Sequence, residues 1–320
     1  MHRLITVIAV CSVSLTTFAV EDIVLPPGFS IEEYADVPNA RSLALGANGT
    51  IFASNRSGGG VFAVVSEGGV TRTITLDDGL QTPNGIAFHE GDLYVAEIDR
   101  VYRYDDIESN LDNAPDPVVL NIDLPSEKWH GWRYIGFGPD NKLYISIGAP
   151  CNICEEPGFA QIIRMNADGS ERETYATGIR NSVGLTWHPE TKELWFTDNG
   201  RDMLGDDLPP GELNNVDAIG QNFGFPYCHA GELLDPMFGQ EKDCSDYRAP
   251  AQKLDSHVAP LGLTFYSGDM FPSEYRGQVF IAEHGSWNRS KKIGYRISLV
   301  RLQEGAVSYT HLTLPTIYSV

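Results

Sequence analysis

The chain has 320 residues, of which 23 are Lys or Arg and 43 are Asp or Glu, so its formal net charge is −20. A charge this negative argues against nucleic acid and anionic membrane surfaces as partners, because both repel it. The length can bury a sizeable core, and a hydrophobic fraction of 42% with a charged fraction of 21% is typical of a globular protein.

The first nineteen residues predict a secretory signal peptide. A short basic start at Met1–Arg3 precedes the apolar run Leu4–Leu15, and a cut after Ala19 would follow small residues. This run is shorter than the roughly 20 residues that a membrane-spanning helix needs, and no later segment is apolar enough to span a bilayer. We therefore expect an exported protein, secreted or periplasmic, without a membrane span; an uncleaved anchor is the alternative.

Four cysteines remain after that cut: Cys151, Cys154, Cys228 and Cys244. In an oxidising compartment cysteines more often form disulfides than bind metal. Sequence proximity favours the pairs Cys151–Cys154 and Cys228–Cys244, although three pairings are formally possible. A zinc site built from all four thiolates is the other alternative.

Five segments share one pattern, in which a short apolar strand, a tight polar turn and a second apolar strand follow one another. They span residues 43–54, 86–97, 135–146, 185–198 and 261–283. Equivalent positions in the second strands are 42, 50, 51 and 85 residues apart, at Ile51, Leu93, Leu143, Leu194 and Val279. A period of 40 to 50 residues, with further apolar strands between the hairpins, predicts an all-β fold of the β-propeller type.

The longest spacing requires an insertion, and residues 201–250 supply it. This segment is acidic and contains Cys228 and Cys244. It predicts either a solvated loop or a disulfide-pinned loop that covers one face of the propeller near a cation.

Ligands of propellers usually bind at one end of the central axis, where the loops leading into the innermost strands converge. Polar side chains lie a few residues before the repeats and are therefore candidates for such a site. They are Asn84, His130, Arg180, Asn181 and His257.

Several motifs resemble those of the soluble quinoprotein sugar dehydrogenases, which use pyrroloquinoline quinone (PQQ) and include the glucose and, more closely, the L-sorbosone enzymes. Trp129–Tyr144 resembles the family's catalytic-histidine segment, and Gly178–Leu185 its Arg-Asn cofactor motif. Asp198–Arg201 with Pro210–Asn214 resembles its calcium loop. The segments His257–Gly262 and Glu283–Arg289 are similar to sorbosone-type members. The match runs from about residue 25 to residue 307.

The resemblance implies oxidation of an aldose or sugar aldehyde, with hydride transfer to PQQ and an external electron acceptor. His130 would be the base that takes the hydroxyl proton, since a neutral imidazole suits that role near neutral pH. Calcium, held by the backbone carbonyls of Gly200 and Arg201, would polarise the quinone. The remaining expected contacts are Arg180, Asn181, Asn84 and Arg289 to the cofactor, and His257 and Trp287 to the substrate.

Two features depart from the family pattern. Ala149 stands where the glucose enzymes carry an Asp that orients the base, so another group or water must orient His130. The family's cofactor carboxylates are met by basic residues late in the chain, for which this sequence offers Arg289, Lys291, Lys292 and Arg296.

The resemblance also implies a six-bladed propeller, of which residues 20–307 would form an incomplete domain with the last blade largely missing. Residues 308–320 fit no repeat and are interpreted as a non-native tail, with a genuine closing strand as the alternative.

Two other functions stay open. A calcium-dependent lactonase or other hydrolase on a propeller would need no quinone, and a non-catalytic ligand-binding propeller is favoured by the missing Asp at Ala149.

Overall fold

The computed structural model describes residues 23–303 and 306–311, whose regular structure is β-strand apart from short 3-10 segments. The 3-10 segments are Ile107–Ser109, Leu111–Asn113, Cys244–Asp246 and Ser273–Tyr275. Within the described ranges, no helix has the length and apolar character to cross a bilayer. The signal peptide predicted for residues 1–19 and the part of the predicted tail from 312 to 320 lie outside these ranges.

The described residues form five sheets in chain order, which are the blades of a β-propeller; four are antiparallel and four-stranded, and the sheet of blade 3 has a fifth, parallel strand. Blade 1 comprises β1 (Ala40–Leu45), β2 (Ile51–Asn55), β3 (Val61–Glu67) and β4 (Val70–Asp77). Blade 2 comprises β5 (Gly85–His89), β6 (Asp92–Ala96), β7 (Val101–Tyr104) and β8 (Val118–Val119). Blade 3 comprises β9 (Ile135–Phe137), β10 (Leu143–Ile147), β11 (Gln161–Met165) and β12 (Glu173–Thr177).

Blade 4 contains the insertion. Its sheet comprises β13 (Leu185–Trp187), β14 (Leu194–Asp198), β15 (Pro210–Val216) and, after the insertion, β19 (Gln252–Ser256). The insertion contains β16 (Gln221–Asn222), which pairs in parallel with β12 of blade 3, and the two-stranded sheet of β17 (Cys228–His229) and β18 (Leu233–Leu234). Blade 5 comprises β20 (Pro260–Phe265), β21 (Val279–Glu283), β22 (Arg296–Gln303) and β23 (Ala306–His311). The predicted insertion 201–250 therefore includes β15, a regular strand of blade 4.

Each predicted hairpin forms the first two strands of a blade, because its turn contains a residue that tolerates a positive φ. These residues are Gly49 (φ 86°), Gly91 (97°), Asn141 (60°), Lys192 (64°) and Gly277 (76°). Asn and Gly adopt this region readily, whereas Lys192 does so at some cost in backbone strain.

The hydrophobic core lies between successive blades. Phe52 and Val61 of blade 1 pack with Ile86 of blade 2, and similar clusters join blade 2 to blade 3, blade 3 to blade 4 and blade 4 to blade 5. Among the described residues, no such cluster joins blade 5 to blade 1.

The apolar side chains of β1 are likewise not covered by a neighbouring blade among the described residues. Leu43 is 62% exposed, although the residues at the equivalent position of the other four blades are between 2% and 7% exposed: Ile86, Ile135, Leu185 and Leu263. Leu45 is 70% exposed. The propeller fold is confirmed, but the described residues form five blades rather than six, and blade 1 has one uncovered face.

The two ends of the described chain lie against blades 5 and 1. Phe29 packs on Phe271 and Tyr275 of blade 5, with ring centroids 4.8 and 5.4 Å apart, and the carbonyl of Tyr34 accepts a hydrogen bond from Thr71 of β4. At the other end, residues 308–311 of the predicted tail belong to β23, which pairs with β22 from Gln303↔Ala306 to Ser298↔His311. The boundary expected at residue 307 therefore falls within a strand.

Both expected disulfides are present. The Cα atoms are 6.1 Å apart in Cys151–Cys154 and 5.5 Å apart in Cys228–Cys244. The second bond closes the insertion of blade 4, so this segment is a pinned loop rather than a free one.

Candidate active site

A cleft of about 900 Å³ is lined by residues from blades 1, 3, 4 and 5. Seven of the residues singled out in the sequence line it: His130, Arg180, Asn181, Gly200, His257, Trp287 and Lys292. The family motifs therefore converge on one cavity, although they are up to 157 residues apart in the chain.

Three predicted site residues lie elsewhere. Asn84 is fully buried and donates from Nδ2 to the carbonyl of Arg133 at 3.0 Å, while its Oδ1 has no hydrogen-bond partner. Arg289 binds the carbonyl of Asp206 and forms an ion pair with Asp207 at 3.0 Å. The side chain of Arg201 points into the insertion, so neither arginine lines the cleft.

The orientation of His130 comes from the main chain. Its Nδ1 lies 2.8 Å from the carbonyl oxygen of Ala149, and this oxygen can only accept, so Nδ1 carries the proton. The imidazole therefore contacts the backbone carbonyl of Ala149, the residue that stands at the position of the family's Asp. The approach is close, since a Cβ at Gly148 would lie 2.7 Å from the Cβ of His130. His130 itself has a φ of 51°, a strained conformation for a residue with a Cβ.

The imidazole of His130 is neutral. Burial, together with the charge of Arg180, lowers the pKa of His130 to about 3, although the hydrogen bond with Ala149 acts in the opposite direction. With the proton on Nδ1, the lone pair is on Nε2, which accepts a hydrogen bond from the indole Nε1 of Trp129 at 3.1 Å. His130 is therefore in the form that a general base requires.

Arg180 joins the walls of the cleft to each other. Its guanidinium donates to the carbonyl and Oδ1 of Asn152, to the carbonyls of Asn199 and Gly200, and to the carboxylate of Asp202, at 2.9 to 3.3 Å. All five of its N–H groups are used, so its charge acts on the cleft from a fixed position.

The buried carboxylate of Asp198 holds the Arg-Asn motif in place. The sequence motifs placed Asp198 only in the calcium loop. Asp198, at the end of β14, accepts hydrogen bonds from the backbone N–H groups of Arg180 (2.8 Å) and Asn181 (2.6 Å). Its cross-strand neighbour is Glu212 of β15, and burial raises the pKa of both carboxyl groups. Asp198 fixes the loop whose side chains enter the cleft.

The insertion is anchored to the cleft wall by a buried ion pair. The carboxylate of Asp235 accepts from the guanidinium of Arg201 at 2.5 Å and lies 2.9 Å from Nε2 of His229. It also accepts from the backbone of Met237 and Phe238 at 2.8 and 3.0 Å. Arg201 thereby connects the predicted calcium loop to the disulfide-closed segment.

The two predicted substrate contacts, His257 and Trp287, differ in how many hydrogen bonds to the protein hold their side chains. His257 is held by the carbonyls of Gly205 and Leu208, 3.0 and 2.9 Å from its Nε2, and its Nδ1 lies 3.7 Å from Asp202. Trp287 is 65% exposed and offers its indole to the cavity.

The cleft contains oxygen and cationic groups suited to the expected cofactors. The carbonyl of Gly200 and the carboxylate of Asp202 are the hard oxygen donors that calcium prefers. Among the described residues, no cluster of three or more His, Cys, Asp and Glu side chains could hold a metal by itself, so a cation here would need further ligands. Four residues that the sequence did not single out also line the cavity: Arg41, Arg56, Asp202 and Tyr295. Trp132 and His284, which belong to the motif segments named above, line it as well.

Comparison with known proteins gives consistent matches. The family model described as Glucose / Sorbosone dehydrogenase matches residues 111–287. An uncharacterized protein of Borreliella burgdorferi is 32% identical over 304 residues, covering 89% of this chain and 79% of that protein. Quinoprotein glucose dehydrogenase B of Acinetobacter calcoaceticus is 26% identical over 211 residues, covering 57% of this chain and 42% of that protein.

Among solved structures, the holo form of the pyranose dehydrogenase PQQ domain from Coprinopsis cinerea superimposes with a TM-score of 0.73. The two sequences are 19% identical, and the match covers 87% of this chain and 82% of that domain. At this identity the comparison supports the fold.

Proposed function

Because the chain belongs to the glucose/sorbosone dehydrogenase family, we propose that it is a quinoprotein that oxidises an aldose or a sugar aldehyde, with PQQ as cofactor and calcium as its partner. The observation that carries this proposal is His130, a neutral imidazole with an oriented Nδ1–H on the wall of a cleft of about 900 Å³. Bound PQQ supplies the two-electron acceptor that no side chain offers.

His130 takes the proton from the substrate hydroxyl at Nε2. The carbonyl of Ala149 keeps the other nitrogen protonated and accepts from the imidazolium that forms, so the base does not rotate during the transfer. The indole N–H of Trp129 must leave Nε2 before substrate binds, since one lone pair cannot accept both protons.

Gly200 and Arg201 are the proposed calcium ligands, through their backbone carbonyls, with Arg180 holding the Gly200 segment in place. Arg180 and Asn181 are the proposed cofactor contacts, and His257 and Trp287 the proposed substrate contacts.

The electron acceptor is external, and the two disulfides support a secreted or periplasmic protein.

We also propose the six-bladed ring that the resemblance implies, with a further blade against β1. The exposure of Leu43 (62%) and Leu45 (70%) supports it, because apolar positions on an inner strand are otherwise covered by the next blade.

The test of function is a titration of the purified protein with PQQ, in the presence and absence of calcium, followed by visible absorbance. We expect saturable binding and, with a panel of aldoses and sugar aldehydes, dye reduction that requires PQQ. His130→Gln should bind PQQ but reduce the dye at least about 10²-fold more slowly. Absence of PQQ-dependent dye reduction over the whole panel would reject the proposal, and lactone hydrolysis in PQQ-free buffer would favour a hydrolase.

A non-catalytic propeller loses its main support, which was the missing Asp at position 149. The carbonyl of Ala149, 2.8 Å from Nδ1 of His130, is the proposed orienting group in place of that Asp.

A further inference from the structure

Two arginines on the wall of the cleft, Arg41 and Arg56, have no anionic partner within residues 23–303 and 306–311. Every other arginine between residues 23 and 303 makes a hydrogen bond or an ion pair, including the buried Arg133 and Arg180. Arg41 and Arg56 make neither with the residues that the structure describes, and both line the cavity. In a chain with a net charge of −20, unpaired guanidinium groups are unexpected.

Both arginines are held in place by blade 1. Arg41 lies in β1, where the pairing with β2 is irregular between Ala40 and Ser42, and Arg56 follows the last residue of β2. A bulge redirects the side chain of the strand that contains it, and this one lies at the cavity end of blade 1. The strand ends therefore bring two cationic groups to the same side of the cleft.

The ring of Trp132 lies beneath these groups. The guanidinium carbon of Arg56 is 4.1 Å from the centre of this ring and that of Arg41 is 6.0 Å from it. Stacking on an aromatic face orients a guanidinium and leaves its N–H groups free to bind in their own plane.

Among the described residues that line the cleft, the neighbours of these arginines include a lysine and no free acid. His284 lies near both arginines, and burial together with their charges lowers the pKa of His284. Lys292 lines the same cavity. The acidic residue of the cleft, Asp202, is 3.3 Å from Arg180 and 3.7 Å from His257 and so is already engaged.

We propose that Arg41 and Arg56 form a carboxylate-binding subsite in the cleft, in which a ligand carboxylate pairs with the guanidinium groups beside the ring of Trp132. The inference rests on the proposed function for the identity of its ligand. The carboxylate belongs either to PQQ, which carries three, or to an acidic sugar. Of the late basic residues expected for this role, Arg289 pairs with Asp207 and Arg296 with Glu283, whereas Lys292 lines the cavity and donates to the carbonyl of Trp287.

The test uses the purified full chain with Arg41→Gln, Arg56→Gln and the double variant. The matched control is Arg72→Gln, an exposed arginine of the same blade that pairs with Asp112 outside the cleft. Circular dichroism and the melting temperature establish that each variant is folded. Binding of PQQ, of its trimethyl ester and of D-glucuronate is measured by fluorescence titration, independently of enzyme turnover.

If the cofactor supplies the carboxylate, we expect each single variant to weaken PQQ binding about tenfold, because it removes one charged hydrogen-bond donor from the carboxylate. The trimethyl ester should bind the wild type and the double variant equally. If an acidic sugar supplies it, PQQ binding stays unchanged and glucuronate binding falls by a similar factor. Arg72→Gln should match the wild type with all three probes.

Unchanged binding of both PQQ and glucuronate in the folded double variant would overturn the subsite and leave the proposed function intact. A wild type that binds glucuronate through these arginines but not PQQ would support the subsite and reject the proposed function. A wild type that binds neither probe would reject both.

Discussion

At the scale of single residues, His130 combines a strained backbone, a main-chain partner and a strongly lowered pKa. Replacement by Gln removes the base and should lower the rate of sugar oxidation about 10² to 10⁴-fold, the usual contribution of a positioned base. The matched control is His89→Gln, whose imidazole stacks on Phe137 with centroids 3.9 Å apart and does not line the cleft. Steady-state dye reduction measures both, and equal losses in both variants would contradict the role of His130.

The pH dependence of the rate follows from the same pKa. An imidazole with a pKa lowered to about 3 is already unprotonated at neutral pH, so the base form is lost only as the pH falls towards that value. We expect no limb from His130 in the rate profile between about pH 5 and pH 8. A limb near pH 6.5 that disappears in His130→Gln would show that the imidazole titrates normally.

Trp129→Phe tests the hydrogen bond to Nε2. The indole N–H stabilises the neutral imidazole, so its loss should raise the pKa of His130 by up to about one unit. The imidazole signals in an NMR titration report this directly. Trp287→Phe, which changes a cleft tryptophan without a bond to His130, should leave the pKa unchanged, and an unchanged value in Trp129→Phe would reject the contact.

The sequence located the site residues that precede innermost strands and missed those at other strand ends. His130, Arg180 and His257 belong to the first kind and line the cleft. Arg56 follows a second strand, so the rule that loops before each repeat converge could not find it. Arg201 was placed in the calcium loop by its motif, but the direction of its side chain depends on Asp235, 34 residues later in an irregular segment.

At the scale of structural elements, the insertion of blade 4 depends on a disulfide and a buried ion pair. Replacing Cys228 and Cys244 by Ser should lower the free energy of unfolding by about 3 kcal/mol on the chain-entropy model, because the bond closes a loop of moderate length. Urea denaturation measures this. The Cys151–Cys154 pair closes a much shorter loop, and its removal should cost less; the opposite order would contradict the model.

Asp235→Asn should destabilise the protein by about 3 kcal/mol, because it leaves the buried guanidinium of Arg201 without its counter-charge. Asp246→Asn is the matched control in the same insertion, where the side chain is exposed. The melting temperature should fall in the first variant and not in the second. Equal melting temperatures would show that the ion pair contributes nothing to stability.

The repeat spacing was sufficient to predict the blades but not their irregular parts. The turn residues and the apolar alternation are local, and each of the five hairpins forms as expected. The strand β23 carries no repeat pattern, and its pairing is fixed by β22 rather than by its own sequence. The same holds for β15 (Pro210–Val216), which the long repeat spacing assigned to the insertion and which pairs with β14 and β19.

At the scale of the whole molecule, the face of blade 1 that residues 23–303 and 306–311 leave uncovered should govern association of the 320-residue chain. The double variant Leu43→Ser with Leu45→Ser should increase the fraction of monomer, because these side chains are 62% and 70% exposed on an inner strand. Met270→Ser, at a position 88% exposed in blade 5, is the control and should have no effect. Size-exclusion chromatography with light scattering measures the mass, and a wild type that is monomeric at high concentration would contradict the prediction.

The contact between His130 and the carbonyl of Ala149 determines which substitutions this site tolerates. A carbonyl oxygen is present at position 149 whatever side chain that residue carries, so substitutions there leave the acceptor in place, and an alanine scan passes over it without a signal. The constraint moves to the neighbouring Gly148, where any side chain would collide with the base at 2.7 Å. With a backbone acceptor, the site depends on a small residue at position 148 and not on a particular side chain at position 149.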